Sequence, residues 1–305
     1  MLRPIIFFAA ISFASFAPAQ VAPPSDGPVT NDCRVRVNAN PTAWIIQGYD
    51  PFGGTIAEGT FSVTFTNEGS SECRFFPAFR LEQPPFGLSR GNGRRIGYAL
   101  LNLTGSQDLT PHMGRSNRST NQPDVVLTQN QSRTMLFKLV VDQNDVTGSG
   151  TYSQDVVLEA QDSRFVSTGG TRIALGLSVL PSARLGLSGA YTVNDGQAVV
   201  ELGELRRGVA PVPLQLRVNS TGNYTISVTS ANAGRLRLGT SGWYVPYSLA
   251  IGPTTVQLAG TDVVTGPAGD GLRQEALALR FTIGDVTEKR AGTYSDVLTV
   301  SVAAR

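Results

Sequence analysis

Histidine, cysteine and lysine are almost missing from this chain. Its 305 residues hold one His (His112) and two Cys (Cys33 and Cys73), and lysine occurs only at Lys138 and Lys289. One imidazole and two thiols are too few ligands for an ordinary structural zinc site, and they leave general-base catalysis little to work with. Neither a phosphate loop nor a dinucleotide glycine motif is present, so no cofactor is expected. Charge of one sign is lacking as well. The formal net charge is +2 and the arginines are scattered, which speaks against a nucleic-acid-binding surface. Beyond the N-terminus, no stretch approaches the roughly 18 apolar residues of a transmembrane helix.

The one long apolar run, Ile5 to Phe16, follows Arg3 and precedes Ala17-Pro18-Ala19. A basic start, a short greasy core and small residues at the cleavage site predict a signal peptide over residues 1–19. The exported chain then meets an oxidising compartment, where two cysteines predict one disulfide, Cys33–Cys73. Closing a loop of about 40 residues is worth roughly 3–4 kcal/mol on the chain-entropy model. Both cysteines lie in the first half, so the second half has no such staple.

What the chain has in plenty is glycine and proline, 33 and 18 residues, between short stretches that alternate apolar and polar. "TFSVTFT" (Phe61, Val63, Phe65), "PVPLQLRV" (Val212, Leu214, Leu216, Val218) and "NYTISVTS" (Tyr224, Ile226, Val228) are half-buried strands by this pattern. Their spacing predicts an all-β fold of sandwiches; aromatic girdles are missing and polar loops such as "MGRSNRSTNQPD" are long, against a membrane barrel.

The two halves repeat. "GTYSQDVVLEA" (Gly150 to Ala160) aligns without a gap with "GTYSDVLTVSV" in the closing "AGTYSDVLTVSVAAR", placing Tyr152 on Tyr294 and Val156, Leu158 and Ala160 on Leu298, Val300 and Val302. Strand parity is kept, as a shared face requires. Upstream, "IGYALLN" (Ile96 to Asn102) matches "VPYSLAI" (Val245 to Ile251). The expectation is two related immunoglobulin-like β-sandwich domains in tandem, residues 20–180 and 181–305. They differ after the repeated segment. Ala160 is succeeded by a polar turn and then "TRIALGLSVLP", one more strand with Ile173, Leu175, Leu177 and Val179 on its apolar face. The second copy is succeeded by no such strand. A sandwich without it exposes an apolar groove, expected between Tyr294, Leu298, Val300, Val302 and the stretch with Val200 and Leu202, and leaves sheet edges unpaired. Burying about four aliphatic side chains is worth roughly 6–12 kcal/mol, comparable to the stability of a whole domain.

The closing strand, with Gly292, Tyr294 and Asp296, and the preceding "SANAGRLRLGTSGWYVPYSL" resemble the spore coat protein U domain family, secreted subunits of archaic chaperone–usher pili. The second domain matches along most of its length, the first mainly through "GTYSQDVVLEA" and "YALL". The resemblance implies an incomplete pilin domain. A periplasmic chaperone, then an adjacent pilin subunit delivered at an outer-membrane usher, would complete it by donating a strand. Members of the family are usually single domains, whereas two are read here. The stretch after the signal peptide, "QVAPPSDGPVTND", holds Pro23, Pro24 and Pro28 and makes a poor donor strand. A chain that accepts a strand and gives none sits at the end of a fibre, as a tip adhesin at the cell surface does. A non-fimbrial coat protein and a soluble two-domain lectin are the alternatives.

Surface contacts of such an adhesin would come from loops of the first domain. Two candidates stand out: the turn with Phe165 and Val166, and the Gly/Pro-rich "WIIQGYDPFGG" with Trp44, Ile45, Ile46, Tyr49 and Phe52. The same residues also fit a core strand. "CRFFPAF" (Phe75, Phe76, Phe79) is read as core beside the disulfide. "GLSRG" (Gly87 to Gly91) has the form of a nucleophile elbow, with Asp108 and His112 downstream, but that motif needs a strand–turn–helix in an α/β sheet. The chain is therefore not read as an enzyme.

Overall fold

A computed structural model describes residues 32–91, 93–117, 124–269 and 271–305. The signal peptide expected over residues 1–19 and nearly all of the proline-rich stretch after it lie outside these. By backbone contacts, residues 33–305 form one compact unit, and within it are two separate hydrophobic cores. One gathers side chains from Val35 to Val179, the other from Ala183 to Val302.

The first sandwich is built from β1 (Val35–Ala39), β2 (Ala43–Tyr49), β3 (Glu58–Asn67), β4 (Cys73–Leu81), β5 (Tyr98–Asn102), β6 (Gln107–Asp108), β7 (Val125–Leu127), β8 (Ser132–Val141), β9 (Gly150–Gln161) and β10 (Ser167–Val179). Its sheets run β1-β3-β8-β5-β6 and β2-β10-β9-β4-β7. Alternation sets the inward faces: Val63 and Phe65 on β3, Phe137 and Leu139 on β8, Val156 and Leu158 on β9 are all buried. The Cys33–Cys73 disulfide ties the chain just before β1 to the start of β4. Gly169 lets β10 pass β1 so closely that a Cβ there would lie 1.6 Å from the Val35 carbonyl oxygen.

The second sandwich contains β11 (Ala183–Gly189), β12 (Thr192–Asn194), β13 (Gln197–Val199), β14 (Gly208–Val209), β15 (Leu214–Ser220), β16 (Tyr224–Ser230), β17 (Arg235–Leu238), β18 (Tyr244–Ile251), β19 (Thr254–Val256), β20 (Thr261–Thr265), β21 (Arg273–Ile283), β22 (Tyr294–Ser295) and β23 (Leu298–Ala304). Its larger sheet runs β11-β15-β21-β18-β17-β22 and its smaller one β20-β16-β23. Strand for strand, β11-β15-β21-β18 repeats β1-β3-β8-β5, and β20-β16-β23 repeats β7-β4-β9.

The repeat extends to individual hydrogen bonds. Tyr152 and Tyr294 each begin the repeated strand and donate their hydroxyls to the carbonyl four residues back, Gly148 at 3.0 Å and Arg290 at 2.9 Å. This is the tyrosine corner of immunoglobulin-like sandwiches. Two residues further along, Gln154 accepts from the Tyr98 hydroxyl at 2.9 Å and Asp296 accepts from the Tyr247 hydroxyl at 2.7 Å. Tyr98 and Tyr247 are the matching tyrosines of "IGYALLN" and "VPYSLAI". Burial pushes both phenols well above their ordinary range, Tyr247 with the added hydrogen bond to Asp296. Among the described residues no helix is long and apolar enough to cross a membrane.

Replacing both cysteines by serine should lower the stability of the first sandwich by roughly 3–4 kcal/mol, read by chemical unfolding, and leave the second sandwich's transition in place. A loss shared equally by both transitions would show that the two cores unfold together.

Candidate strand-acceptor groove and distal loop

In the first sandwich, β10 lies between two neighbours. It pairs antiparallel with β9, Val179 opposite Gly150 and Ile173 opposite Val156, and parallel with β2, Leu175 beside Trp44. Its Ile173, Leu175, Leu177 and Val179 are buried, and they close the core over Tyr152, Val156, Leu158 and Ala160.

In the second sandwich the corresponding place is vacant. β23 pairs with β16, Leu298 opposite Ser230 and Ala304 opposite Tyr224, and among the described residues its other edge has no strand partner. The stretch 200–205 comes after β11 as β2 comes after β1. It belongs to no strand, and its Val200, Leu202 and Leu205 rest half-buried against the core. The burial difference is consistent along the repeat. Val156, Leu158 and Ala160 are 0 % exposed, whereas Leu298, Val300 and Val302 are only half-buried, as is Tyr294. β23 thus presents an open edge, and Val200, Leu202 and Leu205 rest on the same core.

The start of β23 is held firmly. The Asp296 carboxylate accepts from the Tyr247 hydroxyl, the Ser230 hydroxyl at 2.5 Å, and the backbone N–H groups of Asn232 and Val297 at 2.9 and 2.8 Å. The Gly-x-Tyr-x-Asp motif therefore fixes the head of β23: the tyrosine makes the corner and the aspartate anchors the strand behind it.

At the junction of the two cores, Ser149 N–H donates to the Thr221 carbonyl and Leu272 N–H to the Thr147 carbonyl, at 2.9 and 2.7 Å. Asp50 accepts from the Ser182 hydroxyl at 2.8 Å and from Arg184 at 3.0 Å. Burial alone would raise the Asp50 carboxyl, but the Phe52 N–H, Ser182 and Arg184 outweigh it and hold it below its ordinary value.

This junction corrects the reading of "WIIQGYDPFGG" as a contact loop. Trp44 is buried in β2, stacked on Phe61 at 4.9 Å and edged by Phe79 at 6.0 Å, and Ile45 and Ile46 are half-buried beside β10. The segment then runs toward the second sandwich. Tyr49 is buried, its carbonyl accepts from Leu180 N–H at 2.9 Å, and half-buried Phe52 lies just past the junction residue Asp50. Phe75, Phe76 and Phe79 are core.

The Phe165–Val166 turn lies at the opposite end of β9 and β10, roughly 40 Å from the junction at 3.2–3.4 Å per residue. Phe165 and Val166 are 56 % and 55 % exposed. Asp162 organises the turn: its side chain accepts from the N–H groups of Arg164 and Val166 at 2.8 and 2.9 Å, and its carbonyl from Phe165 N–H. That holds Phe165 at a φ of +63°, a left-handed conformation a phenylalanine seldom adopts. The loop after Asn67 shares this end, since Asn67 lies opposite Val35. The elbow-like residues have other duties. Ser89 bridges to Ser153 on β9, Asp108 accepts from the N–H of Thr110, and the His112 ring packs tilted against Phe86 at 4.8 Å.

No family model matches the chain, and no curated protein matches it by sequence. Solved structures give distant likenesses. The CsuC–CsuE chaperone–tip adhesion subunit pre-assembly complex from the archaic chaperone–usher Csu pili of Acinetobacter baumannii matches at 14 % identity, 88 % of this chain, 99 % of that one and a TM-score of 0.43. The CupB6 tip adhesin from Pseudomonas aeruginosa matches at 12 % identity, 88 % and 94 % coverage and a TM-score of 0.36. CfaE, the adhesive subunit of CFA/I fimbria of enterotoxigenic Escherichia coli, matches at 11 % identity, 89 % and 81 % coverage and a TM-score of 0.31.

Asp50 carries a pH dependence. A carboxyl held low in the fold stabilises it above the unfolded pKa, and that contribution is lost as pH falls through the folded value. Asp50→Asn should weaken the junction by about 1 kcal/mol or less, seen as faster hydrogen exchange at Leu180–Ser182. The difference from the wild type should be constant at neutral pH and close below the ordinary 3.8. A gap that persists unchanged into stronger acid would show that the Asp50 charge is not the tie.

Proposed function

We propose that this chain is the adhesive tip subunit of a chaperone–usher pilus, its second sandwich completed by a strand from another protein. The carrying observation is the contrast between β9, covered on both edges, and β23, paired on one edge with its apolar face half-buried. The donors are a periplasmic chaperone during export and an adjacent pilin subunit, placed at an outer-membrane usher, in the finished fibre. The resemblance of the second domain to the spore coat protein U domain, carried by residues 230–249 and 291–305, supports this reading. Pro23, Pro24 and Pro28 support the tip position, because proline cannot donate to a ladder. The first sandwich then meets the surface with its distal end, where Asp162 displays Phe165 and Val166.

Grafting the Thr171–Val179 sequence through a flexible linker onto the C-terminus of the full chain tests the groove. A net gain of even about 2 kcal/mol should raise the second sandwich's Tm by roughly 8 °C. An unchanged transition would mean that the gap is filled from within, and the strand-acceptor reading would fall.

The adhesive end has its own test. Val166→Asp should reduce adherence of piliated cells without moving either unfolding transition, since its side chain is exposed, while Phe165, set edge-to-face on buried Phe76 at 5.9 Å, is left in place. Full adherence would exclude this turn as the contact.

A further inference from the structure

A strand lying between β23 and 200–205 with the polarity of β10 runs antiparallel to β23. It therefore leaves the groove beyond Leu298, at the pole of the second sandwich remote from the first. That pole is fixed by pairings: β21 starts beside the junction, where Leu272 meets Thr147, and ends at Ile283, opposite Gly208 and Tyr247. The chain continuing from an incoming strand must lie against it.

The pole is rich in cations. Arg206 and Arg207 come directly after the groove-lining Leu205, Arg235 and Arg237 stand on β17, and Lys289 and Arg290 lie just ahead of β22. Several are pre-positioned. The Arg290 guanidinium sits over the Trp243 ring at 5.0 Å, and those of Arg235 and Arg237 over Tyr244 at 4.6 and 5.9 Å. Arg237 also donates to the carbonyls of Thr240 and Ser241 at 2.6 and 2.9 Å. The acidic groups among them are Glu204, paired with Arg206 at 2.7 Å, Asp285, which faces Arg207 and Lys289, Glu288, and Asp296 at the head of β23, whose carboxylate is taken up by four donors. At the junction end of the groove, Arg184 and Arg273 are occupied by Asp50 and Glu275, which leaves Arg305, just after β23, as a single further cation there.

We propose that this pole is a docking surface for an acidic segment of the strand-donating protein, the part immediately C-terminal to its donor strand. The inference rests on the strand-acceptor reading and adds the chemistry of the partner: alternating aliphatic residues in the groove, then carboxylates at the exit. Cations already held on aromatic rings lose little freedom on binding. Charge complementarity at an interface chiefly sets on-rate, register and partner choice.

The test titrates the full chain with peptides carrying the Thr171–Val179 sequence, extended by a short Asp/Glu tail at the C-terminus, the same tail at the N-terminus, or a Lys tail at the C-terminus. The C-terminal acidic tail should bind about tenfold tighter than the lysine tail near 0.01 M salt, where the Debye length is about 30 Å, and lose most of that advantage near 1 M, where it is about 3 Å. The N-terminal acidic tail should gain little, because it exits at the junction end. R206E/R207E/R290E should reverse the order of the two C-terminal tails. If the peptides bind equally, the pole has no part in docking although the groove stands. If none binds, the strand-acceptor reading fails and this inference fails with it.

Discussion

The unpaired edge of β23 is the constraint on which the rest depends. A row of free N–H and C=O groups beside exposed aliphatic side chains invites any extended chain to pair with it, and natural sheets usually cover or blunt such edges. Here the edge is kept straight and alternating, with Leu298, Val300 and Val302 turned to the core. Nothing along it is a proline or an inward charge. A strand filling the gap as Ile173, Leu175, Leu177 and Val179 fill the first sandwich contributes on the order of 6–12 kcal/mol of apolar burial. That is comparable to the net stability of a domain. Binding and completing the fold are then the same event, and the disulfide sits in the sandwich that is already complete.

The repeat explains what the motif residues do. Tyr152 and Tyr294 make the same corner, and Gln154 and Asp296 take the hydroxyl of the matching tyrosine across the sandwich. The acceptor differs because its other partners differ. The Gln154 amide also reaches the Pro85 carbonyl at 2.8 Å and accepts from Gly87 N–H, pinning the loop that covers β9. Asp296 takes four donors at the head of β23, where no covering loop or strand helps. Asn at 296 would retain the acceptor oxygen but lose the charge that strengthens each of those bonds.

Much of this was legible in the residues. Alternation gave the strands, the gapless repeat gave two related sandwiches, and the apolar face of "TRIALGLSVLP" distinguished the covered copy from the open one. What stayed hidden depends on distant neighbours. Trp44 stands among glycines and prolines like a loop aromatic, and only Phe61, Phe79 and Phe137 arriving from three other strands make it core. Asp162 gave no signal in "QDSRFVSTGG", because its effect is a local hydrogen-bond geometry that reverses the sign of a φ angle at Phe165. The cations of the pole are scattered in sequence from Arg206 to Arg290, so no charge run betrayed them.

Strand direction sets the order of these features along the chain. The Phe165 turn opens β10, β10 ends at the junction, β21 leaves the junction and ends at the cationic pole. On the proposed reading, a load applied at the distal loop runs along β9 and β10 to the junction, so it shears their ladder lengthwise and strains many hydrogen bonds at once. The junction is the short link in this path. There the load passes through Leu180–Ser182, which Thr221 and Asp50 bind from both sides. Thr221 is almost fully buried and bonds Leu180, Ser182 and Ser149 together. Cohesion between the sandwiches thus rests on a small polar knot and not on a shared apolar core.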